Sequence, residues 1–143
     1  KQIAVKKIFP NEEILIRGNE NKLKQLFINL MMNGIEALLD HGILEIILKK
    51  DLKKGYAEVS IIDSGYGIPL EIQEEIFTPF FSTKMTKKNT GLGLSICQHI
   101  AEAHNGVITF ESNPGERTCF TVKLPLRELS APIPDPNSLR VNL

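Results

Sequence analysis

Hydrophobic and polar positions alternate in some stretches of this chain and recur every three to four residues in others. The switches between the two periods divide it into elements. Residues 3–9 and 13–17 alternate or run apolar on either side of Pro10-Asn11, which predicts two short strands. From Asn21 to about Leu39 the period is helical, with Asn19 or Asn21 as its cap and Gly42 after its end. Residues 43–50 (ILEIILKK) and 56–62 (YAEVSII) read as strands of one hairpin, turning through Lys53-Lys54-Gly55. Pro69 opens a short helix over 70–76. Residues 77–90 show no period and predict a loop, whereas 92–104 are helical again. Strands over 106–112 and 118–124 flank a turn at Asn113-Pro114-Gly115. The last stretch, 125–143, holds four of the eight prolines and no period, which predicts a tail or linker.

Strands in this order come in pairs and do not alternate singly with helices. That pattern favours α+β: a two-layer sandwich of a mixed, mostly antiparallel sheet with helices on one face. A doubly wound parallel sheet fits it poorly. The expected division is one domain over 1–126 and a Pro-rich tail over 127–143.

Composition narrows the partners. The 143 residues carry 17 Lys plus Arg against 17 Asp plus Glu, a formal net charge of zero. Such a balance argues against attachment to nucleic acid or to an anionic membrane by bulk charge. It leaves room for one small anion in one pocket. No apolar run approaches the roughly 18 residues of a membrane span, and KQIAVKKIF is too short and too charged for a secretory signal. Cys97 and Cys119 lack metal-ligand spacing, so reduced thiols in a cytoplasmic setting are expected.

Candidate chemistry begins on the first long helix. At about 100° per residue, Lys22, Gln25, Asn29, Asn33, Glu36 and Asp40 fall within about 80° of one another. Leu23, Phe27, Leu30, Gly34 and Leu38 lie on the far side, and Leu26, Ile28, Met32 and Ala37 flank the stripe. A solvated stripe is the plain reading of such a helix. Two asparagines one turn apart at its centre point elsewhere, because asparagine is a mediocre helix former. A carboxamide oxygen can ligate a hard cation such as Mg²⁺, its NH₂ can donate to a phosphate oxygen, and residues i and i+4 reach one ligand. The stripe, narrow and bordered by large apolar groups, is expected to line a cleft.

Two glycine signals follow. Asp63 ends a strand and precedes Ser64-Gly65-Tyr66-Gly67-Ile68-Pro69. A carboxylate there can accept a hydrogen bond from an exocyclic amine, and the glycines let backbone approach a flat ring; a plain Gly-rich turn is the alternative. Thr90-Gly91-Leu92-Gly93-Leu94-Ser95 opens a helix, whose first turn offers free N–H groups and a positive dipole end to a phosphate. Lys84, Lys87 and Lys88 precede it in a stretch that reads as a phosphate lid, or as a solvated loop. No Walker P-loop, Rossmann fingerprint or protein-kinase motif is present.

Taken together, NKLKQLFINLMMNGIEAL, DSGYGIP, IFTPFFSTK and TGLGLSI resemble, in this order and spacing, the catalytic ATP-binding domain of bacterial sensor histidine kinases. The likeness is strongest to the nitrogen-regulatory and sporulation-kinase type, and it covers roughly residues 3–126. These kinases share the Bergerat (GHKL) fold with gyrase, Hsp90 and MutL. The resemblance implies a sandwich with three helices on one face, and ATP with Mg²⁺ in the cleft over them. It makes Asn33 the Mg²⁺-binding asparagine, with Asn29 at the preceding polar position facing metal and phosphates. Asp63 becomes the reader of the adenine amino group, with Gly65, Gly67 and Ile68 beside it. Phe80 and Phe81 match an aromatic pair at the root of the lid, and Thr83 and Lys84 match the start of the lid. Thr90, Gly91, Leu92, Gly93 and Leu94 match the phosphate cradle, and Thr118 matches a position near the adenine.

Asn89 stands where the family usually has the first glycine of G-T-G-L-G-L, and Gly115-Glu116-Arg117-Thr118 lacks the second glycine of a later motif. Water-hydrolysing relatives carry Glu at the position of Asn29; a carboxamide cannot serve as a general base, so poor hydrolysis is implied. The implied reaction is transfer of the γ-phosphoryl to a histidine on a separate dimerising hairpin, with a response regulator downstream and a homodimeric parent. Asn29, Asn33 and Lys84 are then the catalytic set. His41, His99 and His104 lie outside any acceptor motif, so the chain is expected to be the catalytic part of a larger kinase. A stand-alone ATPase of the gyrase type and a non-catalytic docking module are the alternatives.

Overall fold

The computed structural model describes residues 2–38, 40–81 and 93–127, together with the backbone of residues 139–142. The chain forms β1 (Gln2–Ile8), β2 (Leu15–Gly18), α1 (Glu20–Ala37), β3 (His41–Asp51) and β4 (Tyr56–Asp63). A 3₁₀ helix (Leu70–Glu75), α2 (Gly93–Ala103), β5 (Val107–Asn113), β6 (Arg117–Pro125) and β7 (Leu139–Asn142) follow.

Five strands make one sheet in the order β1-β3-β4-β6-β5. Only β1 and β3 run parallel; every other neighbouring pair is antiparallel. The mixed, mostly antiparallel sheet expected from the sequence is therefore present. One face of it is apolar by simple alternation. Leu44 and Leu48 on β3, Ala57, Val59 and Ile61 on β4, and Phe120, Val122 and Leu124 on β6 are buried on that side. Helices α1 and α2 cover them with Leu23, Leu26 and Leu30 and with Cys97, Ile100 and Ala101. Past the 3₁₀ helix, Ile76 is buried in the same core. Phe77 lies edge-on to Phe110 and Phe120, at centroid distances of 5.9 and 6.3 Å.

Some expectations are corrected. The two N-terminal strands do not pair with each other. Helix α1 lies between β1 and β3 in sequence, and such a crossover makes that pair parallel. Strand β2 instead pairs antiparallel with β7, which lies inside the stretch 125–143 where the sequence shows no period. A four-residue strand carries too few positions to show a period, and its partner is at the other end of the chain. Helix α1 stops at Ala37, before Leu39, so Asp40 stands outside it. Asn19, of the two candidate caps, is the one used: its side chain accepts from Lys22 N–H at 3.0 Å.

Candidate functional site

Strand β4 alternates Ala57, Val59, Ile61, Asp63 toward the helices, so the last inward position of an apolar strand is a carboxylate. Asp63 is 3% exposed. Its Oδ1 accepts the Gly65 N–H at 2.9 Å, which bends the chain out of the strand. The turn is drawn tightly under α1, since a Cβ at Gly65 would run into the Ala37 carbonyl. Gly67 has φ +74°, and a Cβ there would strike the Asn113 carbonyl. Only glycine fits both the backbone conformation and the space.

Ser112 fastens the far side of this loop. Its hydroxyl accepts the Ile68 N–H at 2.7 Å, donates to the Arg117 carbonyl at 3.0 Å, and lies 2.9 Å from Thr118 Oγ1. With its one proton on Arg117, Ser112 accepts the Thr118 hydroxyl as well, which uses its full capacity. Thr118 is buried directly opposite Asp63 on β6. Helix α1 closes over the same end of the sheet, where a Cβ on Gly34 would lie 3.5 Å from Asp63 Cβ and 2.7 Å from Leu44 Cδ1. The small residue after Asn33 thus seats this part of α1 on Asp63.

Two contacts fix the direction of α2. His104 Nε2 at its C-terminal end accepts the Asn19 N–H at the start of α1, at 3.0 Å. Further back, the Cys97 thiol donates to the Leu26 carbonyl at 3.5 Å. The helices are therefore antiparallel. Gly93, one turn before Cys97, is carried toward the later turns of α1, where Asn33 stands and Gly34 meets Asp63. Among the described residues, nothing lies within 4 Å of a Cβ built on Gly93, at the first turn of α2. Its N–H groups and dipole make that end suited to an anion.

Asn29 and Asn33 are half-buried on α1. Burial pushes the Cys97 thiol up from an ordinary 9.0 to about 11, and the nearby Asn29 side chain opposes the rise. The stripe is walled on one side only. Leu26 is buried toward α2, but Ile28 and Met32, expected as the other border of a cleft, are 53% and 48% exposed. Phe81 packs against the core while Phe80 is exposed with φ +66°, so the expected aromatic pair is split. Leu94 is half-buried against the core. Thr83, Lys84, Lys87, Lys88, Thr90, Gly91 and Leu92 lie outside the described residues.

The model of the histidine kinase-, DNA gyrase B- and HSP90-like ATPase family matches residues 18–128. The chain belongs to this ATPase family. Within it, the chain falls with the histidine kinases. It is 42% identical over 126 residues to sporulation kinase C of Bacillus subtilis (strain 168), covering 87% of this chain and 28% of that protein. Sensor histidine kinase ZraS of Klebsiella oxytoca is 40% identical over 111 residues, which are 78% of this chain and 23% of the relative. The chain thus spans under a third of the length of these curated relatives. Among solved structures, the catalytic domain of histidine kinase ThkA superposes with a TM-score of 0.75 at 36% identity, covering 86% of this chain and 80% of that one. As a member of this ATPase family the chain has an ATP-binding fold, and the sheet end at Asp63, the last turns of α1 and the start of α2 converge within it.

Sequence reasoning passed over two side chains at this site. Ser112 occupies the last inward position of β5, as Thr118 occupies the first of β6, so polar residues at facing inward positions were the available signal. Cys97 reads as packing in sequence, and its nearness to Asn29 depends on how two helices are rotated against each other.

Proposed function

We propose that the chain binds Mg²⁺–ATP at the end of the sheet between α1 and α2 and supplies the γ-phosphoryl group to a histidine on a separate helical hairpin. The observation that carries this reading is the convergence of a buried carboxylate, a carboxamide pair and a helix N-terminus at one end of the sheet. Asp63 presents a carboxylate to the exocyclic amine of adenine, with Gly65, Gly67 and Ile68 forming the wall beside the ring. Thr118 borders the same region. Gly93 and Leu94 at the start of α2, with Thr90, Gly91 and Leu92 just before them in sequence, hold the phosphates through backbone N–H groups. Thr83 and Lys84 are assigned to the nucleotide by the family resemblance, a lysine being able to offset phosphate charge.

The donor set suits a hard cation, because carboxamide oxygens on Asn29 and Asn33 are neutral oxygen ligands one helical turn apart. When bound, Mg²⁺ would neutralise charge on the transferring phosphoryl group. Asn29 and Asn33 orient the phosphate end of the nucleotide, and neither can take a proton from water. The carboxamide at Asn29 thereby favours retention of the phosphoryl for another acceptor over hydrolysis. Such transfer needs mainly positioning and charge stabilisation, which these groups supply.

The acceptor hairpin, the downstream response regulator, a homodimeric parent and a cytoplasmic setting belong to the same proposal. Its names come from relatives called sporulation kinase C and sensor histidine kinase ZraS, of which this chain matches one part. Division into a catalytic domain over 1–126 and a tail from 127 is likewise proposed. No helix among the described residues is long and apolar enough to cross a membrane. The test is transfer of radiolabelled γ-phosphate from ATP to the hairpin of the parent kinase, supplied as a separate chain. Acid-labile, base-stable label on the hairpin histidine is expected; label released only as inorganic phosphate would contradict the reading.

A further inference from the structure

Ser112, Thr118 and Asp63 form one polar row across three strands. Ser112 and Thr118 are directly opposed on β5 and β6, and Thr118 and Asp63 on β6 and β4. All three stand at positions facing the helices. Cβ atoms of directly opposed residues lie about 4.5–5.5 Å apart, so neighbours in such a row reach one group of a ligand. The hydrogen bonds settle where the Thr118 proton goes. Ser112 Oγ accepts the Ile68 N–H at 2.7 Å and gives its own proton to the Arg117 carbonyl at 3.0 Å, a group that can only accept. The 2.9 Å contact between Ser112 and Thr118 therefore carries the Thr118 proton. Backbone bonds from Glu116 N–H to the Asn113 carbonyl (2.9 Å) and from Gly115 N–H to the Tyr66 carbonyl (2.6 Å) brace the turn that leads to Arg117.

We infer that Ser112 is a positioning residue for selection of the base: by holding the Thr118 proton on β5 it leaves Thr118 an acceptor toward the nucleotide, so that 6-amino purines are taken and 6-oxo purines refused. The inference rests on the Mg²⁺–ATP reading given above. The Asp63 carboxylate accepts and does not donate, and Thr118, with its proton committed, does the same. This end of the sheet thus offers lone pairs alone. The 6-amino group of adenine brings N–H donors to them. Hypoxanthine and guanine bring a carbonyl oxygen to the same place, where lone pairs face lone pairs and buried acceptors go unpaired. A Thr118 hydroxyl free to turn would undo the discrimination, because it could donate to that oxygen. Ser112 removes this option, so the wrong base is excluded by a fixed proton and not by bulk.

The test is calorimetric titration of the chain, with Mg²⁺, by the β,γ-imido analogues of ATP and ITP, which differ only at C6 and in the proton on N1. The readout is the ratio of the two affinities in wild type, Ser112→Ala, Ser112→Thr, Thr118→Val and the Ser112→Ala/Thr118→Val double variant. Wild type is expected to prefer the ATP analogue by about a hundredfold or more. Ser112→Ala should narrow that ratio roughly fivefold to tenfold, the scale of one hydrogen bond. A merely structural loosening of the Ile68 loop would lower both affinities together and leave the ratio alone. Ser112→Thr, which keeps the hydroxyl, should stay within about twofold of the wild-type ratio. With Thr118→Val already present, adding Ser112→Ala should change the ratio by less than about twofold, because no hydroxyl is left to release. An unchanged ratio in Ser112→Ala, or equal narrowing with and without the Thr118 hydroxyl, would overturn the inference and leave the Mg²⁺–ATP reading intact. Should Ser112→Ala fail to fold, NMR of the nucleotide-free wild type decides. The Thr118 hydroxyl proton is expected to exchange slowly and to show Overhauser contacts to the Ser112 β-protons; contacts to the Asp63 β-protons in their place would contradict it. If wild type binds neither analogue, the Mg²⁺–ATP reading fails and the inference falls with it.

Discussion

Asp63 and Thr118 stand directly opposite each other on β4 and β6, and they are the two buried polar side chains among the described residues, each 3% exposed. Every other inward position of these strands is apolar. Their burial side by side at the end of the sheet marks where the apolar core gives way to a polar floor. Ser112 continues that floor onto β5 and ties it to the Ile68 backbone.

Ser112 should therefore matter more to stability than Thr118. Thr118→Val removes one hydroxyl contact and is expected to cost about 1 kcal/mol. Ser112→Ala removes three hydrogen bonds and leaves the Ile68 N–H without its acceptor, for about 2–3 kcal/mol. Urea unfolding of the two variants checks the order, and an equal or smaller loss for Ser112→Ala would contradict it.

At Gly67 both φ and space exclude a side chain. Gly67→Ala should lower stability by about 2 kcal/mol and weaken nucleotide binding as well, because the displaced loop carries Ile68. Thermal unfolding and a nucleotide titration on the same sample read both effects. Gly115→Ala also has positive φ but meets nothing within 4 Å among the described residues. It should cost stability without touching the nucleotide.

Cys97 predicts an alkaline limit. The folded chain holds the thiol proton up to about pH 11 against an ordinary 9.0, so unfolding releases that proton in between. Stability from this group is full below about pH 9 and is lost as pH rises toward 11, by about 2–3 kcal/mol in all. Cys97→Ala should flatten this part of the pH–stability curve, measured by urea unfolding. In the folded wild type at pH 8, a thiol reagent should modify the half-buried Cys119 faster than Cys97. Equal rates would contradict the burial argument.

His104 joins the ends of the two helices. Its Nδ1 lies 2.7 Å from the Ile100 carbonyl and must donate to it, so Nε2 is left to accept the Asn19 N–H. His104→Ala should cost about 1–2 kcal/mol, the range of a lost cap or buried hydrogen bond. His104→Gln, which can still offer an acceptor, should recover part of it.

The sequence was most legible where chemistry is local. The Asp63-Gly65-Gly67 turn and the capped, striped α1 are set by residues close together in the chain, so spacing alone located them. Long-range choices were not visible in that way. Strand β2 pairs with β7 across the whole chain, and β1 joins β3 in parallel, because α1 intervenes. Ile28 and Met32 looked like one wall of a cleft, yet their exposure depends on which flank of α1 meets α2. The nearness of Asn29 to Cys97 depends on the same rotation. Ser112 was hidden for a smaller reason: one polar inward position at a strand end looks like the beginning of a turn.

The central claim is that Asp63 anchors a bound adenine nucleotide, and calorimetric titration of Mg²⁺–ATP into wild type, Asp63→Asn and Asp63→Ala tests it most directly. Asp63→Asn keeps an oxygen for the Gly65 N–H, so its circular dichroism and unfolding should stay near wild type while its carboxamide serves adenine less well. Binding by wild type, with affinity lower by about tenfold in Asp63→Asn and about a hundredfold or more in Asp63→Ala, is the expected result. Equal affinity in all three folded proteins would contradict it.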